Sequence, residues 1–376
     1  RDRQTTLVGL GVVDLEQERL VALDDERSAV GCRHRTSVTQ VGGPGRILGP
    51  VASVECAVTL DIVLLVGGLV VIGLAADQAV VGSARLADRF RLPRVVLGAL
   101  LIGVGTSLPE AVVSILAAVN GSGALAYGNL LGSNAANIGL VLGVAAAFAA
   151  APLVVDSGIL TREVPLALGA SLLFAVFVLA GMPWPLGVLR LVAAVLVARI
   201  LLAHESLVPA PPGDVELAGE VAEFAGDHHP WREGARALVG LVFTLGAAQA
   251  ELVGATGVAE TFGIAEGLVG IGIIAVGTSL PELVTAITAI RRGEDELVLG
   301  NVLGSTLANS LLVGGVATLA GAAGTPVTPA LREGAIVMAV LVVLAAGALG
   351  RHLTVSRLEG VLLLAAYAAG ITWIAL

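Results

Sequence analysis

Apolar residues run through this chain in long blocks, broken by short polar stretches, from about residue 58 to its end. A helix needs about 20 mostly apolar residues to cross the hydrocarbon of a bilayer. The blocks meet that length and do not alternate apolar with polar residues, as barrel strands would. The pattern predicts ten spanning helices, in two groups of five. The first lie at about 58–82, 94–120, 126–150, 163–182 and 184–204. The second lie at about 234–257, 265–290, 296–320, 331–350 and 356–375.

Two stretches break this pattern. Residues 1–55 are charged and aperiodic, and read as a disordered or non-native N-terminal tail. Residues 205–233 carry Asp214, Glu216, Glu220, Glu223 and Asp227 beside Pro209, Pro211 and Pro212, and read as a solvated acidic linker. The division is therefore 1–55 tail, 58–204 first membrane unit, 205–233 linker and 234–376 second membrane unit. His228-His229 reads as a solvated pair rather than a zinc site.

Composition agrees with a membrane protein. Of 376 residues, 56% are hydrophobic and 14% charged, against about 25% charged in soluble domains. The net charge of −9 and the lack of a basic patch argue against nucleic acid as a partner. Cys32 and Cys56 both precede the first span and fit neither a disulfide framework nor a zinc site.

Arginines choose the orientation. Arg85, Arg89, Arg91, Arg94, Arg162, Arg199, Arg232, Arg236, Arg291, Arg292, Arg351 and Arg357 fall on one side, and Arg190 and Arg332 on the other. This places the 205–233 loop in the cytoplasm and both termini outside, in a multi-pass cell-membrane protein.

The chain also repeats itself. Gly105-Thr106-Ser107-Leu108-Pro109-Glu110 returns letter for letter as Gly277-Thr278-Ser279-Leu280-Pro281-Glu282, 172 positions on. Gly128-Asn129-Leu130-Leu131-Gly132-Ser133 and Gly300-Asn301-Val302-Leu303-Gly304-Ser305 keep the same offset, and so do Asn137 and Asn309. The offset crosses five predicted helices, an odd number, so the halves have opposite orientation. Inverted repeats with matched, proline-broken helices mark secondary transporters, with the site at the repeat interface.

The repeated residues share one chemistry. Thr106 and Glu110 are spaced i, i+4 and share a helix face, as do Ser133 and Asn137. Pro109 lacks an N–H and crowds the carbonyl of Gly105, so the helix should kink and release carbonyl oxygens. Such irregular backbone at membrane depth occurs only where it lines a cavity or is buried in protein. The second half offers Thr278, Glu282, Ser305 and Asn309, with Ser107 and Ser279 as further hydroxyls. All these donors are oxygen, which suits hard cations such as Ca²⁺ and Na⁺ rather than zinc or copper. Two ionised glutamates cancel one Ca²⁺ or two Na⁺, and a third Na⁺ would leave the loaded site at +1.

This doubled motif resembles the α-repeats of the sodium/calcium exchanger family, within the cation/calcium antiporter superfamily. The resemblance covers about residues 58–376 and implies an all-α integral membrane protein of ten helices in two inverted five-helix repeats. It implies exchange of Ca²⁺ for Na⁺ by alternating access, or for H⁺ in relatives. It assigns Ca²⁺ to Glu110 and Glu282 with the carbonyls of Thr106 and Thr278. It extends Na⁺ ligation to Ser107, Ser279, Ser133, Ser305, Asn137 and Asn309 and to the carbonyls of Gly103 and Ala275. The transported ions are the only ligands implied; no cofactor and no protein partner beyond the bilayer follows. Asn309 stands where many relatives carry aspartate, which argues against potassium co-transport, and Gly103 replaces an alanine. The linker resembles no large regulatory Ca²⁺-binding domain.

Two other membrane-embedded acids stand outside the motif. Asp77 is expected at the cytoplasmic interface, and Glu251 either lines an ion path or faces the external interface. Gly67-Gly68, Gly73 and Gly246-Ala247-Ala248 would let spans one and six approach closely and slide. The main alternative is a Ca²⁺/H⁺ antiporter on the same scaffold; a channel and an intramembrane enzyme are the others. The enzyme fits poorly, because no His, Cys or Lys lies in the repeat core as base or nucleophile partner.

Overall fold

The computed structural model describes residues 50–89, 107–155, 159–205, 229–292, 295–352 and 354–376. Residues 1–63 and 64–376 form two compact units, and all contacts below lie within the second. In chain order the helices are α1 (Pro50–Arg89), α2 (Leu108–Val119), α3 (Gly123–Ala135), α4 (Leu142–Phe148), α5 (Val164–Leu179), α6 (Trp184–Glu205) and α7 (Pro230–Phe262). There follow α8 (Glu266–Val269), α9 (Ala275–Thr278), α10 (Leu280–Arg292), α11 (Asp295–Leu307), α12 (Gly314–Ala317), α13 (Pro329–His352) and α14 (Arg357–Ala375). Wide π turns join several pieces into longer rods: Ala136–Val141 joins α3 to α4, Gly270–Ile274 joins α8 to α9, and Ala308–Val313 joins α11 to α12.

Local chemistry sets the ends. Pro109, Pro165 and Pro230 occupy first turns, where a missing N–H costs nothing. Gly263, at φ +65°, closes α7 in the left-handed conformation that glycine adopts freely. Ser356 and Glu359 form a reciprocal capping box at the start of α14. Large apolar side chains such as Leu238, Val242, Val192, Val195, Val361 and Leu362 point outward, as lipid-facing positions do.

The 172-residue offset survives in three dimensions. α2 and α10 begin at mates Leu108 and Leu280, and α3 and α11 run over mates 123–135 and 295–307. The π turns at 136–141 and 308–313 are also mates. Just before α2 and α10, Ser107 and Ser279 adopt the same backbone conformation, φ −86° with ψ 4° and 5°.

Contacts between loops show the inversion. β1 (Leu153–Val154) pairs antiparallel with β2 (Thr354–Val355), Leu153 opposite Val355 and Val154 opposite Thr354. Arg357 donates to the carbonyls of Ala149 and Ala150, and Asp295 accepts from Val154 N at 2.9 Å, at the same rim. The mates of this rim sit at the other end. Gly324 N donates to Met182 O at 3.1 Å, and Gly321 and Gly123 pack on Ala118 and Thr325. The α4–α5 connection thus lies at one rim and its repeat mate, the α12–α13 connection, at the opposite one.

Several expectations change. Eight described helices are long and apolar enough to span a bilayer, and one further pair, Glu266–Thr278 with Leu280–Arg291, is bent by 41°. The second predicted span is described only as α2, since 90–106 lie outside the described residues. Helix α1 begins at Pro50, inside the stretch read as tail, and α7 at Pro230, inside the stretch read as linker; residues 1–49 and 206–228 lie outside the described residues, and so do Cys32 and His228. The helix break falls at Ser279, two residues before Pro281. Arg190, counted above among the arginines that set the orientation, is 1% exposed. Of the small residues, Gly67 and Gly246 lie on exposed faces, while Gly68, Gly82 and Gly240 make the close α1–α7 approach.

Candidate functional site

Helices α2 and α10 bring their carboxylates into the protein interior. Glu110 and Glu282, each in the first turn of its helix, have no solvent exposure. Ser279 Oγ donates to Glu110 Oε1 at 3.2 Å, so a hydroxyl of the second half serves the carboxylate of the first. Ser305 Oγ donates to Glu282 Oε1 at 3.5 Å. Ser133 Oγ lies 3.4 Å from Thr278 Oγ1, across the same interface. Thr278 Oγ1 also reaches Asn129 Oδ1 at 3.4 Å and Ala275 O at 3.3 Å.

Elsewhere in the bundle, hydroxyls turn back on their own helix. Thr244, Thr256, Thr318 and Ser171 each bond the carbonyl four residues earlier, the usual habit of Ser and Thr in apolar helices. Ser133, Ser279 and Ser305 instead reach a side chain on another element.

Asn129 and Asn301 were quoted within the repeated motif but not singled out. Asn129 Nδ2 donates to Ser114 Oγ at 2.9 Å and to the Glu110 carbonyl at 3.5 Å. Asn301 Nδ2 donates to the Glu282 carbonyl at 3.4 Å. Each clamps the broken helix to the next one and orients the glutamate. Their identical placement after Gly128 and Gly300 was the available signal.

Several buried polar atoms have no hydrogen-bond partner among the described residues: Ser107 Oγ, Glu110 Oε2, and both amide atoms of Asn137 and of Asn309. Each orphaned buried group costs about 1–3 kcal/mol, and native proteins leave few. Asn137 and Asn309 occupy mate positions inside the two matched π turns, irregularities that occur frequently at functional sites. The atoms left over are mostly oxygens from both halves, a donor set that suits a hard cation. Thr106 and Gly103 lie outside the described residues. The Ala275 carbonyl already accepts from Ser279 N at 3.1 Å and from Thr278 Oγ1 at 3.3 Å.

Sequence reasoning missed Arg190 and left Glu251 open. Arg190 sits over the Phe174 ring at 4.4 Å and bonds Ser310 and Thr318. Glu251 is fully buried on α7, which excludes a position facing the external interface. Asp77 is exposed. Glu282 and Glu251 both lie within electrostatic reach of Glu110. Among the described residues no three His, Cys, Asp or Glu side chains stand close enough to share one ion.

This geometry has relatives. The profile of a family described as sodium/calcium exchanger protein matches residues 60–202 and again 235–376. CaxA of Alkalimonas amylolytica is 34% identical over 303 residues, which are 80% of this chain and 94% of that protein. The sodium/calcium exchanger MaX1 of Methanosarcina acetivorans is 27% identical over 70% of this chain and 83% of its own. Among solved structures, the sodium-calcium exchanger NCX_Mj soaked with 10 mM Na⁺ and 10 mM Sr²⁺ superposes with a TM-score of 0.56 at 27% identity, covering 84% of this chain and 98% of that one. The two profile matches fall on the two inverted halves, and the chain belongs to the sodium/calcium exchanger family.

Proposed function

We propose that this protein is a secondary active antiporter that exchanges Ca²⁺ for Na⁺ across the cell membrane by alternating access. The carrying observation is that both halves contribute buried oxygens, Ser107 Oγ, Glu110 Oε2, Asn137 Oδ1 and Asn309 Oδ1, with no hydrogen-bond partner among the described residues. In this reading Ca²⁺ is held by Glu110 and Glu282 with the carbonyls of Thr106 and Thr278. Na⁺ uses the same carboxylates with Ser107, Ser279, Ser133, Ser305, Asn137 and Asn309 and the carbonyls of Gly103 and Ala275. The hydroxyls and amides favour Na⁺ over H⁺ as counter-ion, since a proton needs no cage of oxygens. The names of the relatives point the same way: MaX1 and NCX_Mj are called sodium/calcium exchangers, and the name of the Alkalimonas protein proposes an antiporter. The arginine distribution supports a cytoplasmic 205–233 loop with both termini outside.

Radiolabelled Ca²⁺ uptake into proteoliposomes tests the reading, with an outward Na⁺ gradient, an outward H⁺ gradient, or neither. Uptake driven by Na⁺ and abolished by Glu282→Gln is the expected result. Uptake driven by H⁺ alone moves the protein to Ca²⁺/H⁺ exchange, and uptake independent of both gradients makes it a channel.

A further inference from the structure

The inward face of α7 is made mostly of small residues. Gly240, Thr244, Ala247, Ala248, Gly254, Ala255 and Val258 are buried, and among them stands Glu251. Its carboxylate is fully buried, and neither oxygen has a hydrogen-bond partner among the described residues. Eleven residues separate it from Phe262, about 17 Å of helix at the standard rise, too far for the side chain to reach the helix end. The opposite face carries Leu238, Val239, Leu241, Val242 and Phe243, which are exposed.

Two neighbours define where Glu251 sits. Helix α7 packs against α2, which carries Glu110, and Glu110 has Glu251 within electrostatic reach. On the α1 side stands Gly68: a Cβ there would lie 2.8 Å from Glu251 Cβ and from Ala247 O. The pseudo-symmetric crossing is made by Gly240 against Ala79, and Ala79 is the repeat mate of Glu251. One of two equivalent crossings therefore carries a carboxylate where the other carries a methyl group. Packing needs no acid there, as Ala79 shows. An isolated buried carboxylate is too costly to stay ionised and bare, and in a membrane such a residue generally marks an ion path.

We propose that Glu251 is a third ion-carrying carboxylate, holding one Na⁺ at a position of its own beside Glu110. The proposal rests on the antiport reading above and adds a subsite to it. The position is separate because Glu251 stands on α7 at its crossing with Gly68 of α1, whereas Glu110 and Glu282 stand in the first turns of α2 and α10. It changes the charge balance. With Glu110 and Glu282 alone, a third Na⁺ leaves the loaded site at +1; with Glu251 ionised, three Na⁺ load to neutrality, and one Ca²⁺ loads to −1.

The test is Glu251→Gln, of the same shape and neutral, with Glu251→Asp as the conservative partner, in proteoliposomes at constant pH. Two rates are measured: Ca²⁺ for Ca²⁺ exchange without Na⁺, and Na⁺-driven Ca²⁺ uptake as a function of Na⁺ concentration. The expected result is Ca²⁺ self-exchange near wild type in Glu251→Gln, with half-saturating Na⁺ raised about tenfold or more and a lower Hill coefficient. Glu251→Asp should restore part of the Na⁺ response. An unchanged Na⁺ curve in Glu251→Gln overturns the proposal and makes Glu251 a protonated packing residue. Loss of Ca²⁺ self-exchange together with Na⁺-driven uptake also overturns it, since the subsite is then not separate. An altered pH dependence with an unchanged Na⁺ curve assigns the charge to a proton and overturns the Na⁺ subsite. If the wild-type protein moves no Ca²⁺ at all, the antiport reading itself fails, which none of the variant outcomes can mimic.

Discussion

Arg190 gives two N–H groups to one acceptor: Nε and Nη2 both donate to the carbonyl oxygen of Ser310, Nε at 2.7 Å. Ser310 lies inside the π turn of residues 308–313, next to Asn309. A third bond runs from Nη1 to Thr318 Oγ1 at 3.4 Å, and Tyr127 OH meets the same hydroxyl at 3.1 Å. The guanidinium fits because residue 314 is glycine; a Cβ there would lie 1.5 Å from Nη2. The mates of Ser310, Gly314 and Arg190 are Ile138, Leu142 and Leu362, all apolar. The cluster exists in one of two pseudo-equivalent places and fixes the turn that presents Asn309.

Gly314→Ala should therefore expel the guanidinium and leave a buried cation without its acceptor. Such a break costs about 3–5 kcal/mol. The check is the thermal unfolding midpoint in detergent, which should fall clearly for Gly314→Ala and stay put for Gly169→Ala on the exposed face of α5. Adding Arg190→Met to Gly314→Ala should recover part of the loss, because it removes the stranded charge.

Ser279→Ala removes the donor on Glu110 Oε1. Hydrogen bonds to charged groups are worth about 1.5–3 kcal/mol, so half-saturating Ca²⁺ should rise about tenfold or more while protein yield and melting stay close to wild type. Glu110→Gln should abolish Ca²⁺ exchange. A transport assay on both variants checks this; an unchanged Ca²⁺ response in Ser279→Ala would remove the serine from the site.

Cation binding should stabilise the fold, because it gives a partner to buried polar atoms that have none among the described residues. A ligand at 100 times its Kd adds about 2.7 kcal/mol. The melting midpoint should rise with Ca²⁺ or Na⁺ over a choline control, and a chelator should reverse the Ca²⁺ effect. The rise should be absent in the Glu110→Gln/Glu282→Gln double variant.

The rim and the α1–α7 crossing should respond differently. Val154→Cys with Thr354→Cys places two thiols at facing positions of the two-strand pair, within reach of a disulfide. That crosslink should form with or without ions and leave exchange intact. Gly68→Ala wedges α1 away from α7 at Glu251 and should slow exchange at least as much as it lowers stability. Slowed exchange in the rim crosslink would show that this end of the bundle moves.

Much of this was legible because it occurs twice. Glu110, Glu282, Ser279, Ser305, Asn137 and Asn309 stand at matched positions, and a repeated polar residue in an apolar run is hard to explain by packing. The π turns left no mark, because a widened turn needs no special residue. Arg190 was misread because an arginine six residues into α6 looks like an interfacial charge; only the distant Gly314 and Ser310 reveal its burial. Glu251 stayed ambiguous because it has a single copy, and its partner surface is a glycine.

The partners of the first half come late in synthesis. Arg190 waits for an acceptor 120 residues downstream, Ser133 for one 145 downstream, Asn134 for one 176 downstream and Tyr127 for one 191 downstream. Until the second half is made, the guanidinium of Arg190, the amide of Asn134 and the hydroxyls of Ser133 and Tyr127 lack these partners, a costly arrangement at membrane depth. Residues 308–318 supply the partners of Arg190, Asn134 and Tyr127, so the first half completes its buried hydrogen bonds only once the chain has reached them.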